Sequence, residues 1–379
     1  MKVVIIIPTY NEKGNIERLI EILENDIFPK IKNHDMNILV ADDNSPDGTS
    51  DVVKQLMQKY KNIDLNMGEK HGLGAAYVRA MTYAIDKMNA QVMFEMDADL
   101  SHDPNKIPEF LQKIDEGYDY VIGTRYSQGG SIPSNWGLTR KMFSVFGNLL
   151  VRIILFKFSI HDWTGGFRAM RKEVFLKERQ ELTAFRGYTF QVSFLNKVVR
   201  DEYRVAEIPI NFTDRTLGRS KIAPREYIID LLKYIIIASI REKIFGSFGK
   251  FLVVGGTGFI IQLIVYRIII NATTLPLGLS NLLSAQLAIF SNYNLNNLWT
   301  FKKQRARGFS AYLLKMLGFF ASSNTGVLFI QSGIVQLGEI LFGRAFPLPY
   351  VYFVFATGIL LIYNFTMYRF VIWRKKPHR

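Results

Sequence analysis

The chain has 379 residues, no cysteine, and 47 Lys and Arg against 33 Asp and Glu, for a formal net charge of +14. That length accommodates roughly two or three domains with a sizeable core, and the lack of cysteine excludes disulfides and thiolate chemistry. A basic balance would permit a nucleic-acid partner, but the distribution of the charge, taken up below, gives it a different origin.

The opening "MKVVIIIPTYN" has too short an apolar run for a signal peptide. Lys2 to Ile7 is a β-branched run ending at Pro8, Asn37 to Ala41 is another ending at Asp42, and Ile16 to Leu23 between them repeats apolar residues at helical spacing. Strand, helix, strand with wholly apolar strands predicts a parallel α/β sheet. Two further strands are predicted at Gln91 to Met96 and Asp119 to Ile122, so the unit reads as open and Rossmann-like. Ligands bind such sheets beyond the carboxyl ends of the strands.

The segments at those ends are "PTYNE", "DDNSPDGT", "DADLSH" and "GTRY". Turn chemistry accounts equally well for Asn44, Ser45, Pro46, Asp47 and Gly48. It accounts poorly for Asp97 and Asp99, two like charges one residue apart that would share a face of an extended segment. Such carboxylates repel unless a cation sits beside them, and hard oxygen ligands favour Mg²⁺ or Mn²⁺ shared with a diphosphate. The glycine loop "EKHGLGAAY" lacks a Walker lysine and a third dinucleotide-type glycine, so it reads as a closely packed helix start. His102 reads as support for the aspartate pair or as a surface residue.

Thr139 to Phe158 places Lys141, Ser144, Asn148 and Arg152 on one stripe and Phe146, Leu149, Leu150 and Ile153 on another. Glu226, Asp230, Lys233 and Arg241 interrupt the apolar run Tyr227 to Phe245. Basic amphipathic helices of this kind lie in a membrane interface; packing against the sheet is the alternative for both. After Ser247 the composition changes. Four stretches, 248–270, 277–298, 313–337 and 349–373, are long and apolar enough to be read as bilayer-spanning helices. The segments "FKKQRARGF" and "WRKKPHR" are basic, whereas "NATTLPLG" is uncharged and "GEILFGRAFP" carries one charge of each sign. Basic loops face the cytoplasm, which predicts a multi-pass protein with both ends inside and assigns much of the charge excess to the lipid bilayer, with no nucleic acid needed. The amides of the second stretch, among them Gln286, Asn292, Asn294, Asn296 and Asn297, read as interhelical hydrogen bonders.

In order, "PTYNE", "DDNSPDGT", "GLGAAY", "MDADLSH" and "GTRY" resemble the inverting nucleotide-sugar glycosyltransferases of the GT-A fold. "NWGLTRK", "DWTGGFRAMRKEV", "RGYTFQ" and "EIPINFTDRTLGRSK" narrow the resemblance to the dolichol-phosphate mannosyltransferases over roughly residues 3 to 235, and the four-span region is similar to GtrA-type membrane domains. The expected fold is therefore an α/β GT-A domain over 1–224, an interface segment over 225–246 and an all-α membrane domain over 247–379.

The resemblance implies transfer of mannose from GDP-mannose to dolichyl or another polyprenyl phosphate, with the product serving as a lipid-linked donor in protein glycosylation. It implies that Pro8, Tyr10, Glu12, Ala41 and Asp43 line the guanosine pocket, with Asp42 supporting the loop. Asp97, Ala98 and Asp99 would meet the diphosphate, with Asp99 the main metal ligand. Ser101 stands where some members have a glutamine ligand and is counted with Asp97 and Asp99 at the metal site. Arg125 and Arg140 would bind the acceptor phosphate, and Arg215 and Lys221 would close over the donor. Two alternatives stay open: UDP-glucose as donor, and a lipid-linked-sugar translocase or scaffold in which the spans are the working part. A homo-oligomer packed through the spans would leave no trace in the sequence.

Overall fold

Alternation of side chains on apolar strands lets one sheet bury both faces, and the amino-terminal half does this. The computed structural model describes residues 1–182, 187–214, 225–274, 277–343, 345 and 347–374, in two compact units, Met1–Ala238 and Ser239–Arg379. The first unit runs β1 (Lys2–Thr9), α1 (Lys13–Ile22), β2 (Asp35–Asp42), α2 (Thr49–Lys59), β3 (Ile63–Met67), α3 (Leu73–Asp86), β4 (Val92–Glu95), α4 (Ile107–Asp115), β5 (Tyr120–Thr124), α5 (Leu138–Leu155), β6 (Arg168–Arg171), α6 (Lys172–Leu182), α7 (Gly187–Arg200) and β7 (Val205–Pro209). α8 (Arg225–Phe245) crosses from the first unit into the second.

The seven strands lie in the order β3-β2-β1-β4-β6-β5-β7. On one face Val3, Ile5, Ile7, Ile38 and Val40 pack with Ile16, Leu19, Val53 and Phe110. On the other, Val4, Ile6, Leu39 and Ala41 pack with Tyr77, Ala80, Phe175 and Phe194. Each fully buried aliphatic side chain of this kind contributes about 1.5–3 kcal/mol. The four strands predicted from the sequence are all present.

The expectation of a parallel sheet needs correction, because β6 runs antiparallel to both β4 and β5. No helix crosses over to return the chain to the amino edge before β6. The chain enters that strand at the carboxyl edge, where Arg168 is paired with Glu95 and Ile122, and this leaves the loop 162–167 beside the ends of β4 and β5.

α5 turns its polar stripe inward. Asn148, Val151 and Leu155 are buried, whereas Phe143, Phe146 and Ile153 are 64%, 58% and 51% exposed. α8 is likewise divided, with Ile235 buried and Ile237 and Ile240 exposed.

In the second unit, helices form at all four stretches read as spans: α9 (Ser247–Ala272), α10 (Leu277–Leu295), α11 (Phe309–Thr325) with α12 (Ser332–Phe342), and α13 (Leu348–Met367). Wider π-type turns continue α10 at Asn296–Thr300, join α11 to α12 at Gly326–Gln331, and continue α13 at Tyr368–Ile372. Their buried centre is aromatic, with Phe251, Tyr293, Phe319, Tyr368 and Trp373 in contact. Among the described residues two stretches meet both length and hydropathy for crossing a bilayer, Ile228–Ile269 at mean hydropathy 1.9 and Phe309–Ile330 at 1.4. The amides of the second stretch do read as expected in part: Asn294 of α10 accepts from Tyr312 Oη, and Asn297 Oδ1, in the turn that continues α10, accepts from Trp373 Nε1.

Candidate active site

The carboxyl ends of β1, β2 and β3 form one polar cluster. Asp42, fully buried, accepts from Thr9 Oγ1 at 2.8 Å and from Ser45 N and Oγ at 2.9 and 2.6 Å, so it ties the end of β1 to the "DDNSPDGT" turn. Asp47 caps the same turn by accepting from Thr49 N and Lys13 N, and Asn44 and Gly48 take positive φ there. Turn chemistry therefore does explain Ser45 and Asp47. Ala41 is buried in β2, Pro8 is half-buried in β1, and Glu12 is fixed by Asn15 Nδ2 at 2.7 Å. Tyr10 is exposed, with Lys70 Nζ 3.2 Å from its ring centre.

Asp43 faces a residue that the sequence did not single out. Arg79 on α3 donates to Asp43 Oδ1 at 2.9 Å and to Asn66 Oδ1 at 2.9 Å. A Cβ on Gly68 would stand 2.3 Å from the Arg79 guanidinium, so a glycine is what lets this arginine lie across the strand ends. The helix start at "GLGAAY" is confirmed: Gly72 precedes α3 with φ +95°, a conformation that favours glycine.

β4 ends at Glu95, so Asp97 and Asp99 stand in a turn rather than on the extended segment expected, and Leu100 takes φ +60°. The two carboxylates differ in setting. Asp97 has a side chain 35% exposed. Asp99 is 5% exposed and accepts from Ser101 N at 3.1 Å and Ser101 Oγ at 2.5 Å. Ser101, itself buried, is thus committed to Asp99, and Ala98 between the pair is buried as well.

His102 is buried and stacked on Phe167 at 5.1 Å; its Nδ1 accepts from Asp97 N, which leaves Nε2 as the protonated nitrogen, 3.8 Å from Asp97 Oδ2. Burial lowers its pKa and keeps the ring neutral. It supports the turn and does not sit on the surface. Beneath the turn, burial pushes Glu95 up to about 7, and Gln191 Nε2 donates to its Oε2 at 2.8 Å, joining "RGYTFQ" to the end of β4.

The antiparallel entry into β6 brings the "DWTGGF" loop to the same place. A Cβ on Gly165 would lie 2.9 Å from Gly123 O, and one on Gly166 would touch His102 and Asp97. Asp162 clamps Arg125 through Nε–Oδ2 at 2.7 Å and Nη2–Oδ1 at 2.9 Å, and it also accepts from Arg125 N and Gly165 N. Burial alone would raise the Asp162 pKa, but the Arg125 charge and these donors outweigh it and the net shift is downward. From Arg125 a run of ring contacts leads through Phe212 and Trp136 to Arg140, whose guanidinium lies 3.9 Å from the Trp136 ring centre. Arg140 stands in the first turn of α5 and pairs with Asp214 at 3.4 Å.

The loop that clamps Arg125 thus lies against Asp97 and His102, and two rings, Phe212 and Trp136, stand between Arg125 and Arg140. Arg215 and Lys221 lie outside the described residues. Among the described residues no group of three His, Asp or Glu side chains is placed to hold a metal. Two carboxylates of a hard donor set remain, which fits a cation that completes its shell with phosphate oxygens and water.

The profile of glycosyl transferase family 2 matches residues 4–178, and that of the GtrA/DPMS transmembrane domain matches residues 250–373. A nucleotide-sugar transferase domain is thus joined to a membrane domain on one chain. A dolichol-phosphate mannosyltransferase of Pyrococcus furiosus is 33% identical over 83% of this chain and 85% of its own. A polyprenol monophosphomannose synthase of Mycolicibacterium smegmatis is 35% identical over 59% of this chain and 81% of its own. Among solved structures, a glucosyl-3-phosphoglycerate synthase of Mycobacterium tuberculosis aligns with 64% of this chain and 78% of its own at TM-score 0.44 and 16% identity, a likeness too slight to argue from. The chain belongs to the dolichol-phosphate (polyprenyl-phosphate) mannosyltransferase family of membrane glycosyltransferases.

Proposed function

We propose that this enzyme transfers mannose from GDP-mannose to dolichyl or another polyprenyl phosphate with inversion, releasing GDP and a β-mannosyl phospholipid. The observation that carries the acceptor assignment is α5, which begins beside Arg140, turns its polar stripe toward Thr164 and exposes an apolar face. A lipid with an anionic head and a long apolar tail matches that pairing of guanidinium and exposed apolar helix. The names of both relatives favour mannose over the UDP-glucose alternative.

In this reading Tyr10, Asp43 and Arg79 hold the guanosine, with Asp42 keeping their turn in place. Asp97 and Asp99 hold Mg²⁺ or Mn²⁺, which when bound neutralises charge on the departing diphosphate. Arg125 and Arg140 orient the acceptor phosphate toward the anomeric carbon. A phosphate monoester has a second pKa of about 6 and is already nucleophilic near neutral pH, so no general base is required. This agrees with a buried His102 spent on a backbone N–H. The four helical stretches of the second unit serve as four spans, with the transferase domain and both chain ends in the cytoplasm.

The test is transfer of labelled mannose from GDP-mannose to a short polyprenyl phosphate in detergent, with Mn²⁺ or EDTA. Metal-dependent product is expected. Product from UDP-glucose and none from GDP-mannose would overturn the donor assignment.

A further inference from the structure

The support beneath Arg125 begins on the helix whose outer face is apolar. Thr164 Oγ1 accepts from Arg125 Nη2 at 2.8 Å and from Asn148 Nδ2 at 3.1 Å, and its own hydrogen points to Asp162 Oδ1 at 3.4 Å. Both lone pairs and the single proton of this hydroxyl are therefore assigned, which leaves it one rotamer. Asn148, 3% exposed, is equally committed: its Oδ1 accepts from Trp163 N at 2.7 Å, and its Nδ2 also donates to Ser144 O at 3.1 Å. A buried amide on the inner face of a helix costs stability unless it is satisfied. Here the amide is spent on the loop that clamps Arg125.

We infer that Asn148 and Thr164 are positioning residues for the acceptor phosphate: Asn148, through the Thr164 hydroxyl, fixes the direction of the Arg125 guanidinium. Asp162 supplies the charge and two of the contacts, but a carboxylate facing a guanidinium can still pivot about that edge. The bond from Nη2 to Thr164 is out of line with the Asp162 pair and removes the freedom. Thr164 keeps this geometry only while Asn148 occupies its second lone pair. The same helix thus offers an apolar face outward and fixes the headgroup arginine inward, so head and tail of one lipid are registered by one rigid element. The inference rests on Arg125 as a ligand of the acceptor phosphate.

The experiment uses the full chain in detergent, with GDP-mannose and a short polyprenyl phosphate. It measures kcat, the KM for the acceptor and the Kd for GDP in Asn148→Ala, Thr164→Val, Thr164→Ser and Arg125→Lys, and in the doubles with Arg125→Lys. Asn148→Ala and Thr164→Val are expected to raise the acceptor KM about fivefold or more while the Kd for GDP stays at the native value, and Thr164→Ser should behave as native. In the Arg125→Lys background, which retains charge but loses the fork, neither substitution should add a further effect. Equal losses in GDP binding and acceptor KM, or full additivity with Arg125→Lys, would mean that Asn148 and Thr164 serve only the loop, and would overturn the inference. Should Asn148→Ala not fold, the contrast between Thr164→Val and Thr164→Ser decides. An unchanged acceptor KM in Arg125→Lys would instead remove Arg125 from the acceptor site, a separate failure read from that single variant.

Discussion

The two members of the aspartate pair are not equivalent. Asp99 is buried and aimed by Ser101, whereas Asp97 is half-open, so Asp99 has the less adjustable carboxylate. Asp99→Asn should keep the thermal unfolding temperature within a few degrees and lower kcat on the order of 10²-fold or more, as loss of one preorganised electrostatic contact does; retention of full turnover would argue against the metal site. Asp162 gives a pH-dependent expectation. Its folded-state pKa lies below the ordinary aspartate value of 3.8, so the Arg125 pair contributes stability that is fully present above that value and is lost as pH falls through the lowered one. Asp162→Asn should cost about 3 kcal/mol or more at neutral pH, because it leaves a buried guanidinium without its counter-ion. The gap in unfolding temperature between native and variant should narrow as the solution is acidified below pH ~4. Gly68→Ala would press on the movable end of Arg79. It should weaken GDP binding about tenfold, with little change in stability.

At the scale of elements, legibility followed hydrophobic pattern. β1 and β2 are apolar β-branched runs that no other element would bury so completely, and they could be read directly. β3, "IDLNM", has polar residues at alternate positions, and β7, "VAEIP", is short. β6, "RAMR", carries at its start a fully buried arginine satisfied by Gly165 O, Tyr120 Oη, Gln191 O and Trp163 O, partners scattered along the chain. No local pattern announces such a strand. α5 shows the opposite case, since its two stripes were plain in the sequence but the side facing the protein was not. An amphipathic helix on a soluble domain would turn the apolar stripe inward; here Asn148 and Ser144 are inside. Phe146→Gln with Ile153→Gln should therefore leave the unfolding temperature in detergent close to native while raising the KM for a long-chain polyprenyl phosphate in vesicles. A large loss of thermal stability would instead show that this face packs on protein, as in a homo-oligomer.

At the scale of the whole molecule, the chain has no cysteine, so a single introduced one labels cleanly. With four spans, Thr274→Cys and Arg307→Cys, both exposed, should react with a membrane-impermeant maleimide from opposite sides of sealed membranes; labelling from the same side would refute the four-span arrangement. The sequence by itself determined β1, β2, β4, β5 and the apolar helical stretches of the second unit, because apolar period is a local property, and its ordered motifs determined the family. Only the tertiary structure decided that β6 enters from the carboxyl edge and carries Asp162 and Thr164 to Arg125. It also decided that Arg79 crosses to Asp43 over Gly68 and that α5 faces its apolar stripe outward. The hydrogen bonds that hold Arg79, Arg125 and α5 join partners 15 to 39 residues apart, and β6 pairs with strands farther away still; such pairings are set by packing against the whole sheet rather than by the residues on either side.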